Sequence, residues 1–426
     1  MGSRVTLGCR YWLAILKTPS KAQSVAPLIL LWVVALAPSA LAEDWYRFRG
    51  PQLNGISTET EWSHAWHDDT PQEVWQVEVG TGLAGVVVSD GRAFTLGNVD
   101  NADTICCFNS VTGQPLWQHS YPAATDPNEF EGGPTSTPTV DGSRLYALSR
   151  QGDLFCLEVA TGKIEWQCQV AELADVRVPT WGFAGSPLVH DQLLLLNVGD
   201  AGVGLNKHTG ALVWSSADRD AGYSSMVPLR VSDQPAVVFG SARSYVCVRA
   251  DSGQELWRQR WLTTFGCNAA DPIVAGSQIF ISSGYNRGCA LLQLTDQGVD
   301  EVWKNKELQT QISSCVLIGG HVYGIHGDVA DGTQLRCLEL NSGAVKWTET
   351  DFRPGGLSAA GERLLVLSDD GELLIVAAQP DACQILARQH VLEGKCWTAP
   401  VLANGQVYCR SASGQVVCLR LAPLIP

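Results

Sequence analysis

Six tryptophans, Trp117, Trp166, Trp214, Trp257, Trp303 and Trp347, recur at intervals of 49, 48, 43, 46 and 44 residues. Five of them close an eleven-residue unit with the same pattern: CFNSVTGQPLW at 107–117, CLEVATGKIEW at 156–166, GLNKHTGALVW at 204–214, CVRADSGQELW at 247–257 and CLELNSGAVKW at 337–347. A stretched copy, ALLQLTDQGVDEVW, occupies 290–303, and a degenerate copy, VAAQPDACQILA, occupies 376–387. A period in the forties is the length of one four-stranded propeller blade.

Between the tryptophan units lies a second repeated element, an apolar strand, an Asp/Gly-type turn and a second apolar strand. It begins with AGVVVSDGRAFTL at 84–96 and TPTVDGSRLYAL at 137–148 and is found eight times, the last as APVLANGQVYCR at 399–410. Each copy is a hairpin signature. The seven tryptophan units match eight hairpins if an eighth unit is split between the chain ends. In that reading VVCLRL at 416–421 supplies its first strand, and EVWQVEV at 73–79, with Trp75, supplies its outer strand. The pattern predicts an all-β, eight-bladed β-propeller over residues 73–426, its ring closed by pairing the N- and C-terminal strands so that no free edge is left at the join.

The repeat also assigns the adjacent pair Cys106 and Cys107. Aligned on the Thr-Gly turn, Cys107 shares a column with Cys156, Gly204, Cys247, Ala290, Cys337, Val376 and Cys418, which reads as a place for a small residue. Buried cysteine behaves as a small hydrophobe. Neighbours in a strand point to opposite faces, so the pair reads as two strand residues rather than a strained redox-active ring. The repeated tryptophans, Trp75 included, read as struts packed between blades.

Residues 1–42 carry Arg4, Arg10, Lys17 and Lys21 and no acid, followed by the apolar run APLILLWVVALAPSALA with a small-x-small end at Ala40-Leu41-Ala42. This is the layout of a secretory signal peptide, which predicts an exported protein, periplasmic or extracellular, with no stable membrane span after cleavage. Without this segment, 25 cations remain against 43 acids, a net charge of −18. Such acidity argues against nucleic acid as a partner. Residues 43–72 form a turn-rich lead-in with the aromatic anchors Trp45, Tyr46 and Phe48, expected to cap the ring.

The unit seen as CLEVATGKIEW resembles the pyrroloquinoline quinone (PQQ) repeat shared by quinoprotein alcohol dehydrogenases and the outer-membrane assembly factor BamB, over about residues 73–421. The lead-in DWYRFRGPQLNGIS at 44–57 is similar to the W-x-x-x-RGPxxNG opening of many exported PQQ-like propellers of bacteria such as planctomycetes. The resemblance implies the fold, and for function it implies two alternatives. One is a non-catalytic scaffold for a protein or peptide partner, acting as a monomer without cofactor. The other is a PQQ- and calcium-dependent dehydrogenase with its site in the axial funnel. Quinoproteins build that site on long insertions. Here the blades are near minimal length, with longer loops at 121–136 and 170–185 alone.

Loops leading into the first strand of each blade open on one mouth of the funnel. They bring Glu131, Arg177, Trp181, Phe183, Tyr223, Phe265, Asn268, Asp271, Lys395 and Trp397, together with Glu129, as candidate contacts. Glu131, Asn268 and Asp271 are the oxygen donors from which a calcium site would have to be built. The eight histidines form no motif with a serine or cysteine nucleophile.

Overall fold

In a computed structural model, which describes residues 43–60, 62–63, 71–126, 130–216 and 220–423, the repeats become blades. Glu129, His64, His67 and the signal-like segment 1–42 lie outside the described residues. Among the described residues there are eight blade sheets, seven of four antiparallel strands and one in which a short parallel fifth strand joins the four, and a separate two-stranded pair. We letter each blade's strands A to D from the axis outward. In blade 1 these are Val87–Ser89, Arg92–Val99, Ala102–Asn109 and Pro115–Pro122. Blade 8 takes A to C from Val401–Ala403, Gln406–Arg410 and Gln415–Arg420, and D from Gln72–Glu78, with Trp75 opposite Cys418. This is the predicted closure. Arg410, 1% exposed, reinforces it by donating from blade 8 to the Ala84 carbonyl and the Thr95 hydroxyl of blade 1, each at 2.7 Å.

The tryptophans join neighbouring blades. The indole N–H of each donates to a backbone carbonyl of the next blade: Trp75 to Ser110, Trp117 to Val159, Trp166 to Lys207, Trp214 to Ala250, Trp303 to Leu340 and Trp347 to Gln379, at 2.8–3.1 Å. For all of these but Trp347, the next blade's C–D turn glycine lies on the indole. Gly210 holds φ +70°, and a Cβ there would come within 2.6 Å of the Trp166 ring. Thr-Gly and Trp are therefore two halves of one contact between blades, which is why they repeat together.

Two seams depart from this rule, and both correct the sequence alignment. In blade 5 the C–D hairpin is longer, so Trp303 pairs with Leu291 rather than Ala290. On the seam before it, the Trp257 indole N–H is buried without a partner among the described residues. In blade 7 the column position is Ile375, not Val376, and Ala387 stands opposite it where other blades have tryptophan. Counting back from the turn misplaced both residues, and a column that holds Leu291 and Ile375 does not demand a small side chain.

The missing tryptophan of blade 7 is replaced from elsewhere in the chain. Trp62, in the short strand Trp62–Ser63 paired with Ala422–Pro423, is 3% exposed. It packs with Leu365, Leu373 and Ile375 of blade 7 and Val407 and Leu419 of blade 8. Its ring carries the Arg363 guanidinium at 4.7 Å, and its N–H donates to the Glu59 carbonyl at 3.1 Å. Blade 8 has no continuous C–D turn on which a blade 7 tryptophan would dock, because its C and D strands come from opposite parts of the chain. The lead-in fills that seam.

All thirteen cysteines of the described residues are free thiols. Burial pushes Cys106 up to about 11 and Cys107 up to about 12, so neither is a thiolate at neutral pH. Cys106 packs in one apolar cluster and Cys107 in another, on opposite faces of the strand as the alternation requires.

Candidate functional site at the axial funnel

The lead-in crosses the ring on the face that carries the A–B turns. The Trp45 and Tyr46 carbonyls accept from Val88 and Val140 N–H at 2.9 and 2.8 Å, and the Asp44 carboxylate accepts from Asp90 N–H at 2.9 Å. Glu59 accepts from the turn N–H of Gly405 at 2.8 Å. Ile56–Ser57 adds a parallel fifth strand to blade 7, opposite Ala359 and Ala360. From this strap Arg49 enters the axial channel, where it donates to the carbonyls of Cys315 at 2.7 Å and Asn54 at 3.0 Å. Its Nε lies 3.8 Å from Asp271 Oδ2, with the two side chains 6% and 2% exposed. Burial lowers the Arg49 pKa and raises that of Asp271 to about 6, the facing arginine opposing the latter shift.

With that end strapped, the channel becomes a cup of about 270 Å³. Its floor is Trp45, Phe48 and Arg49. Its walls are the starts of the A strands, and its rim holds Phe130, Trp181, Tyr223, Tyr285 and Trp397. A girdle of hydrogen bonds fixes the walls. The position two residues before each A strand carries Thr137, Ser186, Ser225, Asp271 and Ser314 in blades 2 to 6. Each side-chain oxygen accepts the N–H of the same position one blade earlier, from Gly85 to Thr137 at 2.8 Å, Thr137 to Ser186 at 3.1 Å, Ser186 to Ser225 at 3.0 Å, Ser225 to Asp271 at 2.7 Å and Asp271 to Ser314 at 3.0 Å. Five seams are thus tied at the axis by side chains that replace water on buried amides.

On one side of the mouth an aromatic arc runs across blades 3 to 5. Trp181 meets Tyr223 and Phe265, each at 5.8 Å between centroids, and Phe265 meets Tyr285 at 6.0 Å, all edge to face. Phe265 is 66% exposed and held at φ +63°, a backbone conformation costly for a bulky residue. Across the mouth, Lys395 bonds Glu131 at 2.8 Å and lies 4.4 Å above the Trp397 ring. Arg150, 4% exposed, ties the two longer loops together through the Gly132 carbonyl at 3.0 Å and the Trp181 carbonyl at 3.2 Å.

A family model described as outer membrane protein assembly factor BamB matches residues 108–349. The chain belongs to this BamB family. The outer membrane protein assembly factor BamB of Yersinia pestis is 24% identical over 372 residues, covering 82% of this chain and 88% of the relative. The structure of BamB from Moraxella catarrhalis superposes with a TM-score of 0.61 at 17% identity, over 83% of this chain and 98% of that one. The quinohemoprotein alcohol dehydrogenase of Comamonas testosteroni gives 0.65 at 13% identity, over 90% and 82%. At such identities the structural likenesses establish the fold alone.

Within this BamB-family propeller Asp271 sits in the girdle facing Arg49, and the other sequence-derived site residues divide into three groups. Trp181, Tyr223 and Phe265 come together in the arc, and Glu131, Lys395 and Trp397 come together opposite. Arg177 lies outside, paired with Asp220 at 3.0 Å on the exposed rim. Phe183 and Asn268 turn inward. Phe183, 1% exposed, packs between blades 2 and 3. Asn268, fully buried, spends its amide on the Ser241 and Trp261 carbonyls at 2.8 and 3.1 Å and accepts from Ser283 at 2.8 Å. Both are part of the wall behind the mouth.

This division bears on calcium and PQQ. Of the three oxygen donors proposed from sequence, Asn268 is saturated, Asp271 is bound to Ser225 and faces Arg49, and Glu131 is held by Lys395. Each has a different partner, although among the described residues Glu131 Oε2 is buried without one, and among the same residues no three His, Cys, Asp or Glu side chains are grouped so as to hold a metal ion. These three donors do not come together as a calcium site. Arg49, Tyr285 and the hydroxyls of the girdle escaped the sequence reading, although the girdle leaves a signal: an oxygen-bearing side chain at one hairpin column in five consecutive blades.

Proposed function

We propose that this BamB-family chain is a non-catalytic, exported interaction propeller that holds a protein or peptide partner at the mouth of its cup. The observation that carries the reading is Phe265, an aromatic ring exposed to solvent on a strained backbone and braced by Trp181 and Tyr285. Strain of this kind persists only where the surroundings over-determine it, and it concentrates at functional sites. Rigid aromatic anchors are also the side chains that carry binding energy at protein interfaces. The strap occupies the opposite end of the channel, so the mouth is the face left open. The relatives are named as assembly factors, which supports a protein partner. No helix among the described residues is long and apolar enough to cross a membrane.

The test is to replace Phe265 with photo-crosslinking benzoylphenylalanine in the native host and to place the same group at Val111, 56% exposed on a C–D turn. A discrete adduct from position 265 and none from position 111 is expected. No adduct at 265, or the same adducts from both positions, would overturn the reading.

A further inference from the structure

The cup below the rim has a chemistry of its own. Thr137, Ser186, Ser225 and Ser314 line it at 3%, 6%, 6% and 7% exposure. Each hydroxyl oxygen already accepts a backbone N–H from the blade before it, which leaves its O–H and one further lone pair to offer a ligand. Among the described residues none of these four O–H groups meets a protein acceptor, so each is available to a ligand that enters the cup. Four hydroxyls on blades 2, 3, 4 and 6 therefore face the cup with donors to offer a ligand's acceptor atom. The charge of the floor is balanced, since Arg49 faces Asp271 at 3.8 Å. A charged ligand would lose its hydration without finding a free counter-charge. The remaining lining mixes the apolar Val86, Ile312, Val329 and Leu357 with Thr135, Gln311, Ser313, Ser358 and Thr398, of which the Thr135, Ser358 and Thr398 hydroxyls already donate to backbone carbonyls.

We propose that the cup binds an uncharged group combining a leucine- or phenylalanine-sized apolar body with a carbonyl acceptor, the chemistry of one hydrophobic residue within a peptide. The volume of about 270 Å³ is below the usual range of about 300–1,000 Å³ for drug-sized ligands and suits a single residue. The carbonyl takes the girdle hydroxyls, and the apolar body takes the walls. This inference rests on the reading of the mouth as the binding face and names what enters it.

The test titrates the purified protein with N-acetylphenylalaninamide, N-acetylphenylalanine and N-acetylglycinamide at pH 7.5, read by calorimetry and saturation-transfer NMR. The phenylalaninamide is expected to bind saturably at one site, the charged acid at least tenfold more weakly, and the glycinamide not at all. Ile312 is half-buried in the cup wall and outside the apolar core clusters, so Ile312→Trp fills the cup without repacking the core. It should abolish binding with the melting temperature unchanged. Ser186→Ala should weaken binding about tenfold, as expected for one lost hydrogen bond, and Ser186→Thr should restore it. Equal binding of acid and amide, no binding of the amide, or undiminished binding by Ile312→Trp would overturn the proposal. Crosslinking from position 265 without probe binding would remove the cup assignment and leave the mouth reading standing. Probe binding without crosslinking would do the reverse.

Discussion

Trp62 offers the sharpest test of how the ring is held together. It stands in for the tryptophan that blade 7 lacks, so Trp62→Ala should open the seam between blades 7 and 8. A buried tryptophan removes about 150–250 Å² from water, which at about 25 cal/mol per Å² is roughly 4–6 kcal/mol. Truncations of this kind cost about 3–5 kcal/mol in practice, and the Arg363 contact over the ring adds about 0.5–1 kcal/mol at a partly exposed site. Unfolding entropy scales with length, so for a folded chain of nearly 400 residues each kcal/mol lowers the melting temperature by about 1 °C. Denaturant midpoint is therefore the better readout, with Trp214→Ala at an ordinary seam as the reference. The two variants should lose similar stability, and in Trp62→Ala the amides of Ile56 and Ser57 should also exchange faster as the strap loosens. Adding Ala387→Trp should recover part of the loss only in the Trp62→Ala background, because in the wild type the two rings would compete for one space. If Trp62→Ala stays within about 0.5 kcal/mol of wild type while Trp214→Ala loses several, the strap does not fill that seam and the reasoning fails.

Two further outcomes follow from the same contacts. Gly210→Ala should cost about 2 kcal/mol or more, since strain at positive φ is joined by a clash with the Trp166 ring. Gly142→Ala, at φ +59° with nothing within 4 Å of a Cβ, should lose only the roughly 1–2 kcal/mol of backbone strain, and equal losses in chemical denaturation would refute the docking argument. Asp271 has its pKa raised to about 6 by burial, above the unfolded value of about 3.9. Between those limits the folded state binds more protons, so this group's contribution to stability is full below about pH 4 and is lost as pH rises through 6, a change of about 3 kcal/mol. Asp271→Asn keeps an acceptor for the Ser225 N–H and should flatten that slope in pH-dependent unfolding. An unchanged slope would assign it to other groups.

Fold was legible because the repeated features are themselves the inter-blade contacts. A tryptophan that packs on the next blade recurs in seven of the eight blades, its spacing gives the blade length, and the eight hairpins give the count and the closure through Trp75. Alignment slipped where hairpin length changed, at Ala290 and Val376, because a turn is a poor origin when the strands beside it lengthen. The site was legible as a set of loops and not as a set of side chains. Phe183 and Asn268 lie in the same loops as Trp181 and Phe265, and only the path of the backbone decides which rings and amides turn inward. Asp271 read as a candidate calcium ligand, but its partners, Ser225 and Arg49, are 46 and 222 positions away in the sequence. No local pattern reveals such pairs, whereas the girdle column was within reach of an alignment by blade.

The central claim, that this propeller binds a partner and does not run quinone chemistry, is tested most directly by titrating the purified protein with PQQ plus calcium, following the melting temperature and dye-linked alcohol oxidation together. A ligand that binds the native state alone adds about 2.7 kcal/mol at a hundredfold excess over its dissociation constant. We expect no shift and no dye reduction. Stabilisation accompanied by turnover would contradict the account and make the cup the site of a compact quinoprotein.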